Sequence, residues 1–177
     1  MKLLTTLLLT AILFSGCGYT NPYAPPTDTD GNGDRIPLYL EMWHDETNQL
    51  GYQAVIQRSL VNWLKKSKKF VLANDSSDAG HILSGAIHYA DFPGLSYGTF
   101  DRAVELRAKV RFSYTLKELE NNVIKLEKKE FTKLKSYLVG GSAVETKDNR
   151  QRALQEIADD LAEEIYIELS YILIPKK

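Results

Sequence analysis

Gly94-x-Ser96-x-Gly98 has the spacing of a nucleophile elbow. That chemistry needs the serine on a sharp turn from a strand into a helix, followed along the chain by an acid and then a histidine. Here the residues beyond Gly98 alternate as a strand, and His44, His81 and His88 all precede Ser96. The histidines lack the i, i+4 helical spacing of a metal motif, and His81 and His88, seven apart, face opposite sides of a regular strand. Glu156, Asp159, Asp160, Glu163 and Glu164 lie on one face of a helical pattern and read as a solvated surface, not as paired acid–base catalysts. No phosphate loop or dinucleotide fingerprint is present. The chain reads as a binding or assembly protein, not an enzyme, and no cofactor or metal is implied.

Asp28-x-Asp30-x-Asn32-Gly33 opens like an EF-hand calcium loop. The twelfth position, which should be glutamate, is Tyr39, and Glu41 comes two residues late. The tract reads as a turn-rich polar tether. Cys17, the single cysteine, has no disulfide partner within the chain. Ahead of it stand Lys2, an apolar run from Leu3 to Phe14, and the small residues Ser15 and Gly16. A membrane span needs about 20 apolar residues, so the run is a secretory signal and not a span. Cysteine after Ser-Gly resembles a bacterial lipobox, although Phe14 stands where Leu is usual. Residues 1–16 are therefore expected to be a lipoprotein signal peptide, with Cys17 lipidated as the membrane anchor. Gly18, in place of the aspartate that retains lipoproteins in the inner membrane, favours the outer membrane, with the domain on the periplasmic side. Residues 17–35, rich in Pro, Asp and Gly, read as the lipidated cysteine and a flexible tether.

Removing residues 1–16 leaves 161 of 177 residues and moves the formal net charge from −1 to −2, because only Lys2 is lost. That charge gives no reason to expect nucleic acid. Residues 36–174 read as a single domain. Ile36–Trp43 reads as a strand. Tyr52, Val55, Ile56, Ser59, Leu60, Trp63 and Leu64 mark one face of a helix from about Leu50 to Ser67. Phe70–Ala73 is a short apolar segment, and His81–Tyr89 a strand. The 90–101 stretch, with Phe92, Tyr97 and Phe100, is an aromatic-rich loop that either meets a partner or folds back on its own domain. Ala103–Leu116 alternates so regularly that one face must be buried and the other wet. Val123–Leu138 returns as a second long strand, and a slip in apolar parity predicts a bulge near Glu127–Lys129. The last helix begins at an Asp148 capping box or earlier, near Ala143, and Leu154, Ile157, Ala158, Leu161, Ile165, Leu169 and Ile172 form its apolar face. These elements predict an α+β two-layer sandwich, with two amphipathic helices packed on one face of a small, mainly antiparallel sheet.

Arg107, Lys109 and Arg111 fall on the wet face of the first long strand, and Lys125, Lys133 and Lys135 lie on the second. Two readings stay open. If the two sets share a face they form a basic stripe suited to phosphate groups; otherwise they belong to ordinary charged faces alternating with Glu105, Glu127 and Glu130.

Taken in order, several segments resemble the lipopolysaccharide-assembly lipoprotein family, LptE. They are Cys17-Gly18-Tyr19, Ile36–Trp43 with the polar 44–47 turn, Leu60-x-x-Trp63-Leu64, Lys69–Leu72, Ile82–Ile87, Pro93-x-x-Ser96-Tyr97, Glu105–Val110 and the Ala153–Leu169 helix. The long Pro/Asp/Gly linker departs from that family. The resemblance implies an outer-membrane lipoprotein that binds and plugs the β-barrel lipopolysaccharide translocon, aids its assembly and touches lipopolysaccharide. It carries only Cys17 over as a functional residue. Partner or ligand contact through Arg107, Lys109, Arg111, Lys133, Lys135, Phe92, Tyr97 and Phe100 is an expectation from their chemistry. An accessory lipoprotein of another envelope machine, a lipid-transport auxiliary or a peptidoglycan-synthase activator, is the other reading, and the long tether suits it.

Overall fold

The computed structural model describes residues 35–67, 69–99 and 102–174. Cys17, the acidic 28–34 tract and Phe100 lie outside the described residues. Strand β1 (Ile36–Leu40) and the short β2 (His44–Asp45) lead into helix α1 (Tyr52–Lys66). Strand β3 (Phe70–Leu72), a single 3₁₀ turn at Ser76–Asp78, β4 (His81–Asp91) and β5 (Gly94–Tyr97) follow. The two long strands are β6 (Ala103–Glu118) and β7 (Val123–Leu138), and helix α2 (Ala143–Leu173) closes the domain.

The sheet runs β3-β1-β4-β6-β7, with β2 alongside β4 and β5 alongside β6. It is mixed. β1 pairs in parallel with β3 and β4, whereas β6 pairs antiparallel with β4, β5 and β7. The parallel part follows from connectivity: α1 carries the chain back across the sheet between β2 and β3, the kind of crossover parallel pairing requires. Among the described residues β7 pairs only with β6, so its far side is an edge.

Both helices lie on one face. α1 buries Tyr52, Ile56, Ser59, Leu60 and Leu64, the face its periodicity predicts. α2 buries Leu154, Ile157, Leu161, Ile165 and Leu169. Opposite them stand Ala108, Val110, Phe112, Tyr114 and Leu116 of β6, all essentially inaccessible. The Tyr52 hydroxyl donates to the Leu154 carbonyl at 3.0 Å and the Ser59 hydroxyl to Asp159 at 2.6 Å, which fixes one helix against the other. α2 starts at Ala143, not at Asp148. The Ser142 hydroxyl accepts from the Glu145 N–H, and the Glu145 carboxylate accepts from the Gly141 N–H, a close relative of the capping box.

Two local features depart from a plain reading of the strands. β1 stops at Leu40, and the next three residues turn so that Trp43 enters the core with only 2% of its surface exposed. The predicted bulge is present: Phe112 pairs with Phe131 while Tyr114 pairs with Lys128, so β7 carries an extra residue there. Glu130 takes a φ of 26° to make room for it.

Candidate functional site

No element of the described residues covers the sheet face opposite the helices. Its centre is β6, whose alternate residues Arg107, Lys109 and Arg111 stand there in a row. Register sets Arg107 beside Ser136, Lys109 between Asp91 and Leu134, and Arg111 between Tyr89 and Thr132. Arg111 lies 3.6 Å from Glu130 and 5.5 Å from the centre of the Tyr89 ring. Arg107 and Lys109 make no ion pair among the described residues. Leu134 and Leu138, 51% and 66% exposed, share this face. The arrangement is a row of three cations with Leu134 and Leu138 beside it and the carboxylates of Asp91, Glu105 and Glu130 on the same face, so an anionic group would be held chiefly by Arg107 and Lys109.

Lys133 and Lys135 do not join that row. The bulge at Lys129–Glu130 turns them to the helix face, opposite Val110 and Ala108. There Lys135 pairs with Glu156 at 2.6 Å, and Lys133 bonds Glu164. Lys128 bonds Glu164 and lies 3.0 Å from Glu168, whose carboxylate also accepts the Tyr114 hydroxyl. Part of the acidic face of α2 is thus spent on the neighbouring strand and not only on solvent. Burial works against charge on both Lys128 and Glu164. Their mutual hydrogen bonds, with Glu168 and Lys133 adding to them, nonetheless raise the lysine's pKa and lower the glutamate's. Burial, reinforced by Glu168, pushes the Tyr114 hydroxyl far above its ordinary range. Lys125 pairs with Glu118 at 3.0 Å beside the β6–β7 turn and also stands apart from the row.

The aromatic stretch divides. Phe92 folds back, edge-on to Tyr137 and 5.0 Å beneath the Arg150 guanidinium. Tyr97, on β5, is 61% exposed. Ser96 lies within β5, and its hydroxyl donates to Glu105 at 3.4 Å, so no elbow forms.

A serine, a histidine and a carboxylate do meet elsewhere on the uncovered face. His88 Nε2 is 2.8 Å from the Ser113 hydroxyl, and His88 Nδ1 is 3.0 Å from Glu46. Ser113 sits in mid-strand opposite Ala86, with no turn or helix N-terminus beside it to supply oxyanion donors. Sequence reasoning passed over Glu46 and Ser113. The signal for Glu46 was present in His44-x-Glu46, two residues whose side chains share a face in extended chain.

The profile of the lipopolysaccharide-assembly family LptE matches residues 37–169. The chain belongs to the LptE family. The match runs from β1 through nearly all of α2. The family is one of assembly, and no catalytic family is indicated. No curated protein is matched by sequence. The fold is similar to that of a Caulobacter crescentus protein (TM-score 0.57, 14% identity, covering 78% of this chain and 92% of that one). It is also similar to rare lipoprotein B from Shewanella oneidensis (TM-score 0.53, 11% identity, 76% and 94%). A minor lipoprotein from Acinetobacter baumannii follows (TM-score 0.50, 18% identity, 80% and 97%). At these identities the likeness is one of fold, and it agrees with the two-layer α+β sandwich read from this LptE-family sequence. No helix of the described residues is long and apolar enough to cross a membrane.

Proposed function

We propose that this LptE-family chain is a lipoprotein of the outer membrane, anchored through Cys17 with its domain on the periplasmic side. There it binds and plugs the β-barrel translocon that inserts lipopolysaccharide at the cell surface, and it aids that barrel's assembly. The uncovered row Arg107, Lys109 and Arg111 receives the phosphate groups of lipopolysaccharide, and Leu134 beside it meets apolar parts of the same molecule. The observation that carries the ligand reading is this row of cations on a sheet face that no other element covers, within a family of lipopolysaccharide assembly. Lys133 and Lys135 are engaged by α2 and take no part in the row.

Purification of the tagged protein from its own outer membrane in mild detergent tests the partner. Co-purification of a large β-barrel in near-equal amount supports the reading. Recovery of a periplasmic synthase or a lipid-transport complex in its place overturns it and points to an accessory role in another envelope machine.

A further inference from the structure

Three carboxylates border the cation row, and they are not equally placed. Asp91 faces Lys109 in register, yet it accepts the Phe92 N–H at 2.8 Å and is bonded by the Tyr89 hydroxyl. Glu105, on the same strand as Arg107, accepts the Ser96 hydroxyl at 3.4 Å. Both are thus held by uncharged donors. Glu130 is different. Its Oε2 lies 3.6 Å from Arg111 Nη1, the one ion pair that a cation of the row makes among the described residues. Glu130 owes that place to the bulge. The register passes from Phe112–Phe131 to Tyr114–Lys128, so Lys129 and Glu130 together stand across from Ser113. The φ of 26° at Glu130 is one that a residue with a Cβ adopts only at a cost, and glycine would meet it more readily. Strain of this kind is concentrated at binding and switch sites.

We propose that the Glu130 carboxylate is an internal competitor for the ligand's anionic group: it occupies Arg111 in the free protein and gives way when a phosphate group arrives. The inference rests on the reading of Arg107, Lys109 and Arg111 as the row that receives phosphate. The geometry suits an exchange. At 3.6 Å the contact is longer than an N–H···O hydrogen bond, which spans about 2.7–3.2 Å, so the pair is loose. Both partners reach solvent, Arg111 with 40% of its side chain exposed and Glu130 with 67%, and either can move without opening the core. The Tyr89 ring, 5.5 Å from the guanidinium centre, keeps Arg111 over the face when the carboxylate leaves. A phosphate group brings three acceptor oxygens and more charge than a carboxylate, and it can bond Arg111 together with Lys109, its neighbour in the row. Where a binding group is free in only a fraction of the molecules, the apparent affinity falls by that fraction. Exposed pairs are weak, so Glu130 should leave Arg111 free in roughly a fifth to a half of the molecules. Competition of that order suits a site that both takes up and gives up its ligand.

The test uses the protein purified from its own membrane in mild detergent, with purified lipopolysaccharide titrated by surface plasmon resonance. Glu130→Gln keeps the length of the side chain and the local backbone but removes the charge. The expected result is binding about two- to fivefold tighter than that of the parent. In the Arg111→Gln background the same substitution should change nothing, since no guanidinium is left to release. That comparison separates competition at Arg111 from a general loss of negative charge, which would favour an anionic ligand in either background. A purely structural role for Glu130 would leave binding as it is or weaken it. Binding by Glu130→Gln that equals the parent's or is weaker, or a gain that persists in the Arg111→Gln background, overturns the proposal. If the variant with Arg107, Lys109 and Arg111 all replaced by Gln binds as the parent does, the row itself is not the ligand site, and the role of Glu130 is overturned together with that reading.

Discussion

The indole of Trp43 lies directly on Gly85. A Cβ at that glycine would stand 2.4 Å from the ring, where no side chain can be accommodated without displacing the indole. The ring is itself packed among Phe112 and Tyr114, at centroid distances of 6.1 and 6.4 Å, so it has nowhere to go. Gly85→Ala should therefore cost about 1–3 kcal/mol, the range for overpacking a filled core. Urea unfolding followed by tryptophan fluorescence measures it. An unchanged midpoint would show that the indole moves freely.

The two basic groups should separate by experiment. Replacing Arg107, Lys109 and Arg111 with Gln should weaken binding to purified lipopolysaccharide roughly a hundredfold, at about 1 kcal/mol for each half-exposed cation, with little change in stability. Replacing Lys133 and Lys135 should do the reverse, lowering the melting temperature and sparing the ligand. Surface plasmon resonance and thermal melts on both variants check this. If the first variant binds as the parent does, the cation row is not the ligand site.

The ion network between β7 and α2 makes stability depend on acid. Glu164 is held below its ordinary value of 4.5: burial opposes this, but hydrogen bonds from Lys128 and Lys133 outweigh it. A carboxyl with a lowered folded-state pKa binds fewer protons folded than unfolded. Its contribution is full above the ordinary value and is lost as pH falls through the folded one. Glu164→Gln should be less stable at neutral pH and should lose less between about pH 6 and 3. Melts across that range would show equal slopes if the network contributes nothing.

Tyr52→Phe removes the hydroxyl that α1 offers to the Leu154 carbonyl of α2. The buried carbonyl would lose that partner, and the domain should lose about 1 kcal/mol. The same substitution should leave lipopolysaccharide binding unchanged, since Tyr52 lies on the helix side of the sheet, away from Arg107 and its neighbours. Chemical denaturation and a binding titration on one preparation decide both halves.

The α1 face and the β6 alternation were legible because burial there follows one unbroken period. β7 was legible as a strand, and its bulge announced itself in the parity slip between Leu126 and Phe131. The side to which Lys133 and Lys135 turn was not, because it depends on how many residues the bulge inserts and on Glu164 and Glu156, 31 and 21 residues further along on α2. Phe92 and Tyr97 show the same limit. Both are aromatic residues in one turn-rich stretch, yet the first meets Tyr137 and Arg150 while the second stays in solvent. The Glu46–His88–Ser113 contacts were illegible for a related reason: they join three strands that only the mixed topology brings side by side.

Among the described residues the sixteen-residue β7 pairs on one side only, and apart from the Leu138 carbonyl, which accepts from Asn149, its far side is an open backbone edge. Such an edge invites the same strand of another copy to add on, and then another, toward polymer. Two irregularities in its pairing with β6 break the flat template, and Lys125, Lys128, Lys129, Lys133 and Lys135 alternate with Glu127 and Glu130 along it. These bulges and closely spaced charges would have to be accommodated before a second copy could add on. The edge can thus remain open without joining copies to one another, and a strand that does pair with it must carry side chains that complement its lysines.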